Sequence, residues 1–181
     1  MKQACFLDRD GVINVEKYYL HEPELLELIP RSGEALSLLQ KAGFLLIAVT
    51  NQAGVAKGKF PAEDVEQVHA RLAELLQEFG VKLDAVYCCM HHPDFTGPCD
   101  CRKPAPGMLL EAARHFDIDL AHSYMVGDRM SDLLAGVHAG VSSILVRTGY
   151  GAETEKSGEA AAFPVYDDLF SAVKDGILKR R

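Results

Sequence analysis

The chain has 181 residues, 48% hydrophobic and 25% charged, and its 19 Lys and Arg against 26 Asp and Glu leave a net charge of −7. That length points to one domain over residues 1–181, with a core that needs no disulfides, and no apolar run approaches the ~18 residues of a membrane span. The acidic balance excludes the general electrostatic attraction behind nucleic-acid or anionic-membrane binding, although a basic site can still exist on an acidic protein.

Met1 to Gln3 lead directly into the apolar run Ala4-Cys5-Phe6-Leu7, which Asp8, Arg9 and Asp10 end at once. No secretory leader is expected from such a start, and a cytoplasmic location is. The run reads as a strand with Cys5 as a small core residue. Asp8-Arg9-Asp10-Gly11 closes it. Residues two apart on an extended chain project to the same side, so both carboxylates can face one site. Two close carboxylates repel unless a cation intervenes, and Mg²⁺ is the natural one. Gly11 permits the turn that brings backbone N–H groups near an anion.

A helix over about 32–42 ends at Gly43, and a second strand follows over 44–49. Behind it come Thr50, Asn51 and Gln52, which are either neutral phosphate donors or an ordinary turn. The clearest helix spans about 62–79, with Val65, Val68, Leu72, Leu75, Leu76 and Phe79 on one face. A third strand is expected over 85–88. From its last residue onward come Cys88, Cys89, His91, His92, Cys99 and Cys101, four of the chain's five cysteines among them. Three thiols and one imidazole at chelating spacing make a closed, structural zinc set. Arg102 and Lys103 follow directly, so a metal there would fix the loop that aims both cations. A helix opened by Pro106 carries Leu109, Ala112, Ala113 and Phe116.

The fourth strand, 124–126, runs into Gly127-Asp128, and a helix over 130–139 stops at Gly140. Asp128 can complete a magnesium site with Asp8, whereas Asp132 is either an outer partner of that site or an acidic residue in a helix's first turn. A fifth strand over 143–146, a mobile loop over 152–162 and a last helix over about 167–178 complete the chain. The alternation of short apolar runs with helices describes an α/β fold, a Rossmann-like, doubly wound parallel sheet with helices on both faces. Ligands bind such sheets at the carboxyl ends of the strands. Polar, reactive residues follow four of the runs, so four segments converge on one edge.

In this order, Asp8-x-Asp10-Gly11, Thr50-Asn51, Lys103-Pro104 and Gly127-Asp128-x-x-x-Asp132 resemble the haloacid dehalogenase (HAD) superfamily of aspartate-nucleophile phosphatases. Within it the chain is similar to the family of heptose bisphosphate and histidinol phosphate phosphatases. The resemblance runs from about Phe6 to Gly149 and includes Thr50-Asn51-Gln52-Ala53-Gly54, Cys99-Asp100-Cys101-Arg102-Lys103-Pro104 and Gly107-Met108-Leu109-Leu110. Lys57-Gly58, Met90, a short loop from His92 to Pro98 and Glu16-Lys17-Tyr18 depart from the family pattern.

The resemblance implies a fold without a large cap domain and a Mg²⁺-dependent phosphomonoester hydrolase. Asp8 would be the nucleophile, and Asp10 the acid and then the base; Thr50 and Lys103 would hold the transferring phosphoryl group. Mg²⁺ would sit on Asp8, the Asp10 carbonyl and Asp128. Zinc would sit on Cys89, His91, Cys99 and Cys101, with His92 and Cys88 as the neighbouring alternatives. Glu16, Lys17, Tyr18, Tyr19, Thr50, Asn51, Gln52, Ala53, Arg102, Lys103 and Arg129 would contact the substrate. That substrate would be a phosphorylated sugar, heptose 1,7-bisphosphate losing its C7 phosphate on the way to surface glycans such as lipopolysaccharide core. Histidinol phosphate is the alternative, and a zinc-stabilised binding module the non-enzymatic one. The expected state is a monomer with neither nucleic-acid nor membrane partners.

Overall fold

The computed structural model describes residues 1–180. Six strands, β1 (Ala4–Leu7), β2 (Leu45–Asn51), β3 (Ala85–Cys89), β4 (Tyr124–Gly127), β5 (Ser142–Val146) and β6 (Val165–Tyr166), form one sheet in the order β3-β2-β1-β4-β5-β6. Every pairing is parallel. Helices α1 (Ser32–Lys41), α2 (Ala62–Gln77), α3 (Pro93–Thr96), α4 (Gly107–Phe116), α5 (Met130–Ala139) and α6 (Gly151–Lys156) fall between the strands. A terminal helix, α7 (Leu169–Ser171), runs on through a π-helical segment, Ala172–Ile177. The expected doubly wound α/β architecture is therefore present.

Alternation along the strands divides the core. Cys5, Leu7, Leu46 and Ala48 pack on one face with Leu36 and Leu39 of α1, Val68, Leu72 and Leu76 of α2, and Val173 and Ile177 near the C-terminus. Ala4, Phe6, Ile47 and Val49 pack on the other with Met108, Leu109 and Ala112 of α4 and Ala135 and Ala139 of α5. The central strands are buried on both faces, so their sequence is continuously apolar rather than alternating. Register decides where the site forms. Leu7 is level with Ala48 and with Val126, so the residues that follow these three emerge together at one edge of the sheet.

Three expectations need correction. Strand β6 has two residues and pairs Val165 with Leu145 and Tyr166 with Val146; so short a run carries no periodicity to read. Residues 152–162 are not a mobile loop. Their Glu, Thr, Lys and Ala content supports α6, Arg147 binds Glu155 through two hydrogen bonds of 2.7 and 2.8 Å, and Ala160 is buried against Leu133 and Leu145. Phe79 lies past the end of α2 and is 39% exposed; α2 stops at Gln77, so the ring leaves the buried stripe. No helix among the described residues is long and apolar enough to cross a membrane.

Candidate active site

The edge formed by the ends of β1, β2 and β4 opens into a cleft of about 360 Å³, lined by Asp8, Asp10, Thr50, Lys103 and Asp132 at its floor. Lys103 is its central cation. The residue is 3% exposed, and its ammonium donates to Asp8 Oδ1 at 2.8 Å and to the Val49 carbonyl at 2.7 Å, while Asp132 Oδ1 lies 2.8 Å away. Its backbone is clamped as well, since Asn51 Nδ2 donates to the Lys103 carbonyl and Lys103 N–H donates to Asn51 Oδ1, both at 3.1 Å. Asn51 thus acts on Lys103, a chain partner far away in sequence. The paired carboxylates hold the Lys103 ammonium well above its usual range despite burial.

Asp8 and Asp10 sit in opposed environments. Burial lifts Asp8 to about 7, with Lys103 offsetting part of the rise. Burial also raises Asp10, but Arg9, Asn14 and Gln52 outweigh it and hold the carboxyl below its usual value. Arg9 reaches Asp10 through Nε and Nη2 at 2.9–3.2 Å, Asn14 Nδ2 donates at 2.9 Å, and Gln52 Nε2 donates at 2.8 Å. The same Gln52 nitrogen donates to Thr50 Oγ1 at 2.9 Å.

Asp8, Asp128 and Asp132 place carboxylate oxygens within 4.8 Å of one another. Asp128 Oδ2 accepts from Tyr150 N–H at 2.8 Å, whereas Oδ1 is buried with no partner in the protein. Three clustered carboxylates facing one lysine, one of them with a free buried oxygen, fit a hard divalent cation. Gly11, at φ +83°, is required here, because a Cβ would strike the Asp128 carboxylate. Asp132 sits in the first turn of α5, the second of its two readings. Its Oδ2 accepts from Arg129 N–H at 3.0 Å as a helix cap while Oδ1 pairs with Lys103.

The second candidate metal centre lies beside Lys103. Cys89, His91, Cys99 and Cys101 bring one ligand atom each within 4.8 Å; sulfurs lie 2.6–3.8 Å apart, and His91 Nδ1 lies 3.4 Å from Cys101 Sγ. The two alternatives are not in the group. Cys88 alternates to the other face of β3, and His92 Nδ1 instead accepts from Asp94 N–H at 3.3 Å, capping α3. Burial pushes Cys99 up, but the Arg102 N–H and the neighbouring thiols outweigh it and hold it at about 7. The donor set suits zinc.

Comparison with known proteins identifies the assembly. A family model described as HAD-hydrolase-like matches residues 100–172. The chain is 43% identical over 178 residues to D-glycero-beta-D-manno-heptose-1,7-bisphosphate 7-phosphatase of Haemophilus ducreyi, covering 95% of this chain and 97% of the relative. It is 47% identical over 152 residues to the protein of that name from Escherichia coli K12, covering 81% and 80%. A solved D,D-heptose 1,7-bisphosphate phosphatase from B. bronchiseptica, complexed with magnesium and phosphate, superposes with a TM-score of 0.92 at 34% identity and covers 99% of both chains. The chain belongs to the HAD phosphatases.

As a HAD phosphatase the protein is a phosphomonoester hydrolase, and most residues read from its sequence do meet in the cleft. Glu16, Tyr18, Tyr19, Asn51, Gln52, Ala53, Arg102 and Arg129 line it around the buried floor. Lys17 does not. Its ammonium turns away to Glu27 at 3.2 Å, and the two residues after it, Tyr18 and Tyr19, adopt left-handed backbone at φ 44° and 64°. Lys57 and Ser131 line the cleft without having been assigned a role. Lys57 Nζ donates to Tyr19 Oη at 3.1 Å, a pairing between distant segments that no local pattern announces.

Proposed function

We propose that this phosphatase hydrolyses the C7 phosphate of D-glycero-D-manno-heptose 1,7-bisphosphate and releases heptose 1-phosphate, a step of heptose metabolism that serves surface glycans. The identity of 43–47% to relatives of that name over most of both chains carries the substrate. Asp8, buried 2.8 Å from the Lys103 ammonium at the cleft floor, carries the chemistry.

In this reading an Asp8 oxygen attacks phosphorus and the bond from phosphorus to the sugar oxygen breaks, leaving an aspartyl-phosphate. Asp10, oriented by Arg9, Asn14 and Gln52, acts in its protonated form, the one those donors disfavour in the free cleft, and gives that proton to the leaving oxygen. It then takes one from the water that hydrolyses the aspartyl-phosphate. Thr50 and Lys103 hold the phosphoryl oxygens, over which charge spreads during transfer. Asp8, the Asp10 carbonyl and Asp128 would hold Mg²⁺, which when bound offsets repulsion between a carboxylate nucleophile and a phosphate dianion. Cys89, His91, Cys99 and Cys101 would hold structural zinc and so brace Arg102 and Lys103.

Arg102 donates to the His91 carbonyl at 3.2 Å and lines the cleft; its guanidinium is the group assigned to the substrate's second phosphate, with Glu16, Tyr18, Tyr19 and Arg129 around the sugar. The protein is read as a cytoplasmic monomer. Steady-state comparison of both heptose bisphosphate anomers, fructose 1,6-bisphosphate and histidinol phosphate tests the assignment. The expected result is highest kcat/KM on the β-anomer that the relatives are named for. Equal or faster turnover of histidinol phosphate refutes the heptose assignment.

A further inference from the structure

Arg9 lies between the two aspartates at the floor and is fully buried. Its Nε and Nη2 are spent on Asp10, but Nη1 is buried with no partner in the protein. On α2, the Nε2 of His69 is in the same condition. The two flank one packed cluster, since Arg9 lies two residues beyond Leu7, His69 follows Val68, and Leu7 and Val68 belong to the same core; the charges of Arg9 and Asp10 also act on the His69 imidazole. Burial first, and then Arg9, push His69 down to about 4, so the ring is neutral at physiological pH and one of its nitrogens carries a lone pair. One buried group needs an acceptor and the other can be one. Buried polar atoms of native proteins rarely stay unmatched, and an ordered water is the usual partner when no side chain reaches. His69 also lines the cleft of about 400 Å³ between α2 and β3, beside Ala73, Val81 and Val86, so one side of the residue borders solvent.

We propose that His69 is a positioning residue for Asp10: through one ordered water its Nε2 accepts from Arg9 Nη1–H and fixes the guanidinium that holds the Asp10 carboxylate. Arg9 cannot orient Asp10 sharply if one arm of its planar fork is loose. The fork is gripped on its other side by the Asp10 carboxylate itself, so an anchor at Nη1 sets the angle at which that carboxylate meets the cleft. The inference rests on the acid role given to Asp10 above.

The readout is leaving-group dependence. The value of kcat/KM covers the steps through formation of the aspartyl-phosphate, in which a sugar alkoxide must be protonated as it leaves, whereas p-nitrophenolate leaves without a proton. His69→Leu should lower kcat/KM on a sugar phosphate about tenfold, a part of what general acid catalysis supplies, and on p-nitrophenyl phosphate less than about twofold. His69→Gln, which keeps an acceptor, should restore most of the loss. Equal losses on both substrates, or none on the sugar phosphate, overturn the proposal. Asp10→Asn separates the two ideas. If it shows no such split, the acid role of Asp10 fails; if it shows one and His69→Leu does not, His69 is only a packing residue. Should the leucine variant not fold, high-resolution diffraction from the unaltered protein decides, since density for a water within hydrogen-bond reach of both nitrogens supports the link and its absence overturns it.

Discussion

Replacing Lys103 with methionine keeps the volume of the side chain and removes the one cation among the carboxylates. Asp8, Asp128 and Asp132 would then remain within 4.8 Å of one another, with the two 2.8 Å pairs to Lys103 gone. Breaking a buried ion pair costs about 3–5 kcal/mol, because the abandoned charge stays desolvated. Part of that is recovered by protonation, since burial already lifts Asp8 to about 7 and Asp128 to about 8. The lower end, about 3 kcal/mol, therefore applies near neutral pH, and for a domain of this size it lowers Tm by about 6–12 °C. The sign of the pH effect follows from the raised values. A carboxyl whose folded pKa exceeds its unfolded one keeps its proton in the fold longer than in the unfolded chain, so its contribution to stability falls as pH rises from about 4 towards 8. The deficit of Lys103→Met should accordingly be larger at pH 8 than at pH 5. Turnover should fall about 10²–10³-fold through loss of a preorganised charge. Thermal unfolding followed by circular dichroism in chelator, at both pH values, measures the first effect. An unchanged Tm at pH 8 would refute the view that Lys103 neutralises this cluster.

Asp8→Asn should abolish turnover and leave the acid-quenched protein free of covalent phosphate while the fold persists, since an amide is a poor nucleophile; near-normal activity of a sequence-verified sample contradicts the mechanism. Zinc should copurify at about one ion per chain, and Cys99→Ser should lower both zinc content and Tm; metal analysis finding no zinc in protein prepared without chelator overturns that site. Mg²⁺ affinity should rise about 10²–10³-fold between pH 6 and pH 8, because Asp8 and Asp128 release protons on coordination; a flat titration by calorimetry argues against their joint coordination. Arg102→Ala should reduce kcat/KM about ten- to a hundredfold more on a bisphosphate than on a small monophosphate, whereas equal losses would restrict Arg102 to bracing its loop.

Much of this was legible in the amino-acid order. Five of six strands and the long helices follow from apolar runs and helix punctuation, which are local signals, and α5 matches its expected limits at Met130–Ala139. Asp8, Asp10, Thr50 and Asp128 could be placed at one edge because each follows an apolar run that becomes a buried parallel strand, whereas Lys103, in the loop before α4, was assigned through the family resemblance. The zinc candidates were visible from spacing alone, yet the choice between Cys88 and Cys89 was not, since a strand sends adjacent side chains to opposite faces and only the paired register says which face meets the loop.

Other features belong to the tertiary structure. Strand β6 exists because β5 offers an edge for two residues to pair with, and α6 is held in place by Arg147 and by Thr154, whose hydroxyl donates to the Asp128 carbonyl at 2.8 Å. Lys17 leaves the cleft to pair with Glu27, while Lys57 enters it and donates to Tyr19. Asp132 illustrates the division most clearly. Its place in a helix's first turn was plain from sequence, but its pairing with Lys103 joins residues brought together by separate strands, and a one-dimensional pattern carries no term for a distance closed by folding.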